Sequence, residues 1–195
     1  MKETRPYRQT ARAAAAAQTG RDILAAAVAL WRERALDAIT LADIAERAGV
    51  SVQTVIRRFG SKEGVVEAAI AADASGIPQA RQAAPVGDVS AALDVLLAHY
   101  EADGDAVLRT LALEDRLPAA RQIAENGRAF HRAWCARVFA PFLPDPGDGG
   151  GTARLDAFVA ATDLSLWKLL RHDLGRSAEA TRDAFGVLVG GLTST

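Results

Sequence analysis

Residues 40–63 read TLADIAERAGVSVQTVIRRFGSKE, and their spacing predicts two short helices joined by a tight turn. Leu41, Ile44, Ala45 and Ala48 fall at i, i+3, i+4 and i+7, which lays one apolar stripe along a helix. Gly49 supplies the backbone freedom that a sharp turn needs, and Val50 plugs the angle between the helices. Val52, Val55, Ile56 and Phe59 repeat the spacing on a second helix. Ser51, Gln53, Thr54, Arg57 and Arg58 are left for its outward face. Hydroxyls, an amide and guanidiniums are the groups that hydrogen-bond base edges and phosphates. The pattern is that of a helix-turn-helix whose second helix enters a DNA major groove.

The caps support these boundaries. Thr40 precedes the first stripe with Asp43 three residues on, close to a capping box although Asp replaces the usual Glu or Gln. Ser51 stands at the N-cap of the second helix and Ser61 at that of the next. Arg57, Arg58 and Lys62 cluster behind this capped polar face.

The rest of the chain is consistent with an all-α protein. Its 195 residues are 50% hydrophobic and 6% aromatic, and no run of alternating β-branched residues suggests a sheet. The net charge of −1 hides an asymmetry. Residues 1–64 hold 11 Lys and Arg against 7 Asp and Glu. A basic front and an acidic remainder suit a protein that offers one end to a polyanion. Cys135 is the only cysteine, which predicts a reducing compartment. The longest apolar run, residues 23–31 between Asp22 and Arg32, is far short of the ~20 residues that span a bilayer. The early residues hold an alanine run where a secretory signal would need a more apolar core. The expected setting is the cytoplasm, with no membrane partner.

Three segments are expected: a basic N-terminal arm over 1–18, a helix-turn-helix domain over 19–75 and a body over 76–195. The arm carries Arg5, Arg8 and Arg12 and reads as a floppy terminus or an extension of the first helix, which otherwise starts near Thr19 and turns Trp31 inward. Residues 75–87, with two prolines and two glycines, read as a connection. Beyond it, helices are expected over 88–102, 105–116, 118–140, 153–174 and 178–192. Asp145 and Asp148 lack the spacing of a calcium loop, so no metal is assigned.

The order of these parts resembles the TetR-type (tetracycline-repressor-like) regulators. The resemblance rests on residues 23–70: a first helix, Thr40, Ile44 and Ala45, the run Ala48-Gly49-Val50-Ser51, Phe59, and Ser61-Lys62-Glu63. It implies a three-helix DNA-binding head on a larger helical effector-binding and dimerisation body, working as a two-fold homodimer on double-stranded DNA with a palindromic operator. Carried over by position, Thr40 would contact a phosphate from the start of the second helix. Ser51, Gln53 and Thr54 would face bases or sugar-phosphate beside Val52, and Lys62 would hold a phosphate. The family usually places a tyrosine on a phosphate where this chain has Ile56. Arg57 and Arg58 are the residues able to take over that positioning.

The resemblance also makes the last two helices the expected dimer surface, with Phe158, Leu166 and Leu169 on one stripe and Phe185, Leu188 and Val189 on the other. The middle helices would enclose a small, mostly apolar effector among His99, Tyr100, Leu108, Leu111, Phe130, His131 and Trp134. The implied function is a transcriptional repressor that the effector releases from DNA, with no cofactor. Catalysis has little to rest on. His131 and Cys135 are i and i+4 on one helix face, but no nucleophile elbow, phosphate loop, dinucleotide fingerprint or zinc spacing accompanies them. The competing reading is a helical adaptor or antagonist that keeps the fold without binding DNA, to which Ile56 is the one pointer.

Overall fold

The computed structural model describes residues 5–72, 77–144 and 151–194, and among them every element is helical. They fall into two compact units, residues 1–75 with 112–121 and residues 76–111 with 122–195. The expected split placed everything after residue 75 in the body, whereas residues 112–121 group with the head.

The head opens with α1 (Arg5–Glu33), followed by a 3-10 turn at Leu36–Ala38, then α2 (Leu41–Arg47), α3 (Val52–Phe59) and α4 (Lys62–Ala71). Helix α1 begins at Arg5, not near Thr19. Residues 7–19 contain no Gly or Pro and are rich in alanine, the strongest helix former, so most of the expected arm is a helical extension. Arg12 is exposed there. The side chains of Arg5 and Arg8, and Asp145 and Asp148, lie outside the described residues.

Each turn of the head is capped as its local sequence predicts. The Thr40 hydroxyl accepts from the Asp43 N–H at 3.2 Å, and the Asp43 carboxylate accepts from the Thr40 backbone N–H at 2.8 Å, closing a capping box. Those bonds to Thr40, with Arg34 adding to them, hold the Asp43 carboxyl down at about 2. Ser51 and Ser61 accept from the N–H groups of Thr54 and Gly64, both at 3.2 Å. Gly49 takes φ +65 between α2 and α3, a left-handed conformation that a side chain disfavours. Ile23 and Leu30 of α1, Leu36, Ile39, Ile44 and Ala45 of α2, Val55 and Val65 are buried together, the apolar face that holds short helices no isolated peptide would keep. Trp31 is only half-buried.

The body contains α5 (Ile77–Gln82), α6 (Val89–Leu111), all of α7 (Pro118–Val138) beyond its first turn, a 3-10 turn at Ala140–Phe142, α8 (Gly151–Ala161), α9 (Leu164–Lys168) running into a π turn at Leu169–Asp173, and α10 (Ala178–Thr193). Three expectations are corrected. The connection over 75–87 includes α5. The two helices expected over 88–102 and 105–116 are the single helix α6, which passes through Gly104. The Trp167 ring packs there, 2.7 Å from where a β-carbon would stand, so the glycine marks a close approach and not a break. The helix expected over 153–174 stops at Thr162. Asp163 restarts the chain by accepting from the Ser165 N–H at 2.8 Å as the N-cap of α9.

The body core is aromatic at its centre. Phe139 and Phe158 stack at 4.4 Å between centroids, with Trp134 edge-on to Phe139 at 5.8 Å. Phe158, Phe185 and Val189, expected on a dimer surface, have no exposed surface and belong to this core. Their stripes have helical period, but the buried face of each helix packs within its own chain. Leu166 is half-buried, while Leu169 and Leu188 are 44% and 47% exposed. The outward apolar groups of α10 are Val187, 77% exposed, and Leu188. No described helix is long and apolar enough to cross a membrane.

Candidate functional site

Eight residues form α3, and their angular spacing divides them sharply. Val55 points into the head core, while Gln53, Ile56 and Arg57 stand at i, i+3 and i+4 on one exposed face. Ile56, expected on the inward stripe, is instead 38% exposed, an apolar group between an amide and a guanidinium. Val52 is half-buried at the first turn.

The remaining predicted DNA contacts already have partners within the head. The Ser51 hydroxyl lies 2.9 Å from that of Thr54, so both side chains serve the start of α3. Thr40 is engaged in its capping box. Lys62 sends its ammonium to the carbonyls of Leu36 and Ile39 at 3.1 and 3.0 Å. It thereby ties the start of α4 to the 3-10 turn, and one of its three N–H donors remains for an external acceptor. Arg58 turns away from the Gln53 face. Its guanidinium lies against Gly20 of α1, closely enough that any β-carbon there would clash, and 5.8 Å from the Phe59 ring centroid. Arg47 grips Glu33 with both terminal nitrogens, at 2.5 and 2.7 Å, joining α2 to α1. The head is therefore a braced frame that presents Gln53, Ile56 and Arg57.

In the body, five of the residues expected around an effector, His99, Tyr100, Phe130, His131 and Trp134, lie around a side chain that sequence reasoning left in the connection. Arg81, at the end of α5, is 2% exposed. Its guanidinium lies over the Trp134 ring at 4.0 Å and is 5.6 Å from the Phe130 centroid. Its Nη2 donates to His131 Nδ1 at 3.0 Å and its Nη1 to His99 Nδ1 at 3.3 Å. A guanidinium has no acceptor, so both imidazoles are neutral at Nδ1 and carry their protons on Nε2. His131 Nε2 then donates to the Thr162 hydroxyl at 3.2 Å, and Thr162 donates onward to the Phe158 carbonyl at 2.6 Å. Burial, reinforced by Arg81, pushes His131 down to about 4. Burial also lowers the pKa of Arg81 and raises that of Tyr100, whose phenol donates to the Thr162 carbonyl at 2.8 Å.

Cys135 is buried beside this chain of bonds, its sulfur 3.4 Å from Thr162 Oγ1 and 3.7 Å from His131 Nε2. Burial pushes the thiol up to about 11, the opposite of an activated nucleophile. Leu108 and Leu111 are half-buried against the core. The expected effector chamber is thus occupied by the Arg81 side chain itself. Trp134 Nε1 donates to the Arg81 carbonyl at 2.9 Å, and Arg137 donates to the carbonyls of Ala84 and Arg81 at 2.9 and 3.2 Å. The end of α5 is therefore firmly seated. Among the described residues no three His, Cys, Asp or Glu side chains come together as a metal site.

No match to the chain was found among the curated proteins. A crystal structure of a candidate transcriptional regulator from Pseudomonas aeruginosa PAO1 is 16% identical and superposes with a TM-score of 0.66 over 91% of each chain. That likeness shows a shared fold over nearly the whole length. Residues 23–69, from the buried Ile23 of α1 through α2 and α3 into α4, match the bacterial regulatory proteins of the tetR family. The head is thus a DNA-binding domain of the tetR-family type, the kind found in bacterial regulatory proteins.

Proposed function

We propose that the protein is a homodimeric repressor that holds a palindromic operator with two copies of α3 and leaves it when a small, largely apolar effector enters the body. The observation that carries this reading is the face of α3, where Gln53, Ile56 and Arg57 stand exposed together while Arg58 lies back against Gly20 and Val55 turns into the core. Arg57 can reach guanine or phosphate, Gln53 can pair with adenine, and Ile56 can pack on a thymine methyl. Lys62, with its one remaining donor, and the start of α2 at Thr40 fit phosphate contacts that set the register.

Dimerisation accounts for the outward apolar surface of α10. Two recognition helices read successive major grooves when they lie ~34 Å apart, and a two-fold interface buries the same patch twice. The effector acts by binding one arrangement of the body better than another, which shifts the pair of heads away from the groove repeat. The buried, high-pKa thiol of Cys135 and the neutral His131 fit a binding protein without catalytic function. A regulator of this kind works in the cytoplasm, on the chromosome.

Selection of bound sequences from a random duplex pool at near-physiological salt tests the proposal. Enrichment of a two-fold palindrome is expected, with affinity that falls steeply as salt rises. If nothing is enriched and binding is weak, the DNA-binding reading fails. The adaptor, to which Ile56 is the pointer, then takes its place.

A further inference from the structure

The guanidinium of Arg81 is a positive charge inside the body core, and no carboxylate among the described residues pairs with it. Its two terminal nitrogens donate to neutral imidazoles, the Tyr100 phenol also hydrogen-bonds with it, its faces meet Trp134 and Phe130, and its Nε is buried without a hydrogen-bond partner among the described residues. The carboxylate of Asp163 lies near enough to act on His131 and Tyr100, but it caps α9 through Ser165 and makes no ion pair with Arg81. Arg137, the other cation close by, adds repulsion and is itself tied to backbone carbonyls. Buried charges in proteins are paired or strongly disfavoured. Aromatic faces and neutral nitrogens offset only part of the lost hydration.

We infer that Arg81 is the anchor for a ligand carrying a single carboxylate on an apolar body, which takes the place of the two histidines as acceptor. This rests on the effector reading above and gives the effector its chemistry: largely apolar, but with one negative charge. The geometry selects this class in three ways. One uncompensated cation calls for one negative charge, and Arg137, the second cation acting on Arg81 among the described residues, is held on backbone carbonyls and is not free for a phosphate dianion. The planar fork of a guanidinium matches two carboxylate oxygens, and the orphaned Nε is the donor that a bidentate partner would use together with one Nη. The aromatic faces on the guanidinium, Trp134 and Phe130, suit a hydrocarbon or aromatic body. His99 and His131 hold the guanidinium as replaceable acceptors. Both lose only a hydrogen bond when the carboxylate arrives.

Two measurements test the anchor. In the absence of ligand, Arg81→Met removes an unpaired buried charge, so its melting temperature should equal or exceed that of the parent. A fall of more than about 5 °C would make Arg81 a structural brace and overturn the proposal. The parent and Arg81→Met proteins are then melted with a panel of straight-chain and aromatic monocarboxylates and with the matched primary amides. Carboxylates are expected to raise the melting temperature of the parent, with no shift from their amides and none in Arg81→Met. The proposal falls if no carboxylate acts, if an amide acts as well as its acid, or if the shift survives in Arg81→Met. Operator release measured with the same compounds separates the two claims. Amides that release DNA as well as the acids keep the effector reading and remove the anchor. Carboxylates that act through Arg81 without releasing DNA keep the anchor and remove that reading.

Discussion

Gly20 and Arg58 decide between them where one guanidinium of the recognition helix points. Arg58 rests on α1 because position 20 has no side chain. Gly20→Ala should evict that flexible end while strengthening α1 by up to ~1 kcal/mol of helix propensity. The freed guanidinium is expected to tighten operator binding and steepen the salt dependence by about one phosphate contact, read from affinity against salt concentration. An unchanged slope would mean that Arg58 already reaches DNA from its place over Gly20. At this scale the caps were legible in the sequence, since Thr40, Ser51 and Ser61 bond within three residues. The partners of Lys62 and Arg81 were not. Lys62 finds its carbonyls 23 and 26 residues back, and Arg81 meets His131 50 residues on. No local pattern carries such pairings, and an arginine between two prolines, Pro78 and Pro85, reads as a solvated linker.

Among the elements, α10 shows what periodicity can and cannot tell. The stripe through Phe185, Leu188 and Val189 identifies an amphipathic helix, but a helix in a packed body has an apolar side toward its own chain as well as any side it offers a partner. Burial separates the two: Phe185 and Val189 turn inward, and Val187 and Leu188 outward. If α10 carries the proposed two-fold interface, Val187→Asp should shift the protein from dimer to monomer in light scattering at micromolar concentration, with its helical circular dichroism retained. Phe185→Asp, which forces an unpaired charge into the core, should unfold the body instead. A Val187→Asp protein that remains dimeric would move the interface off α10. The continuous α6 and the interrupted segment at Thr162 escaped the sequence for a related reason. Gly104 admits a tryptophan from another helix, and Asp163 is a cap whose role depends on a neighbouring turn.

For the molecule as a whole, the neutral histidine at the centre of the body couples stability to acidity. His131 titrates at about 4 when folded and near 6.5 when unfolded. Between these values the unfolded chain binds the extra proton, so stability present above pH 6.5 declines as the pH falls toward 4, by at most ~1.4 kcal/mol per pH unit. The groups facing it are Arg81 of α5, Val159 of α8, Thr162 and Asp163 in the turn before α9, and Cys135 on its own helix. Of these, only Asp163 favours the charged ring through its own charge. Urea unfolding at pH 7, 6, 5 and 4.5 should show a steeper decline for the parent than for His131→Gln. Parallel declines would place the titration elsewhere. Helical class, a capped head and a separate body were all readable from composition and spacing. The charge at the centre of that body was not, because only the assembled packing brings α5 onto α6 and α7.

The lone thiol of the chain lies one helical turn from His131, beneath the same layer of side chains as Arg81. A sulfhydryl that is buried and holds its proton to about pH 11 reacts with an alkylating reagent only when the surrounding helices part. Cys135 is therefore a built-in clock. The rate at which the unmodified protein is labelled reports how often its interior opens, and any compound that seals the chamber slows that clock, whether or not DNA is present.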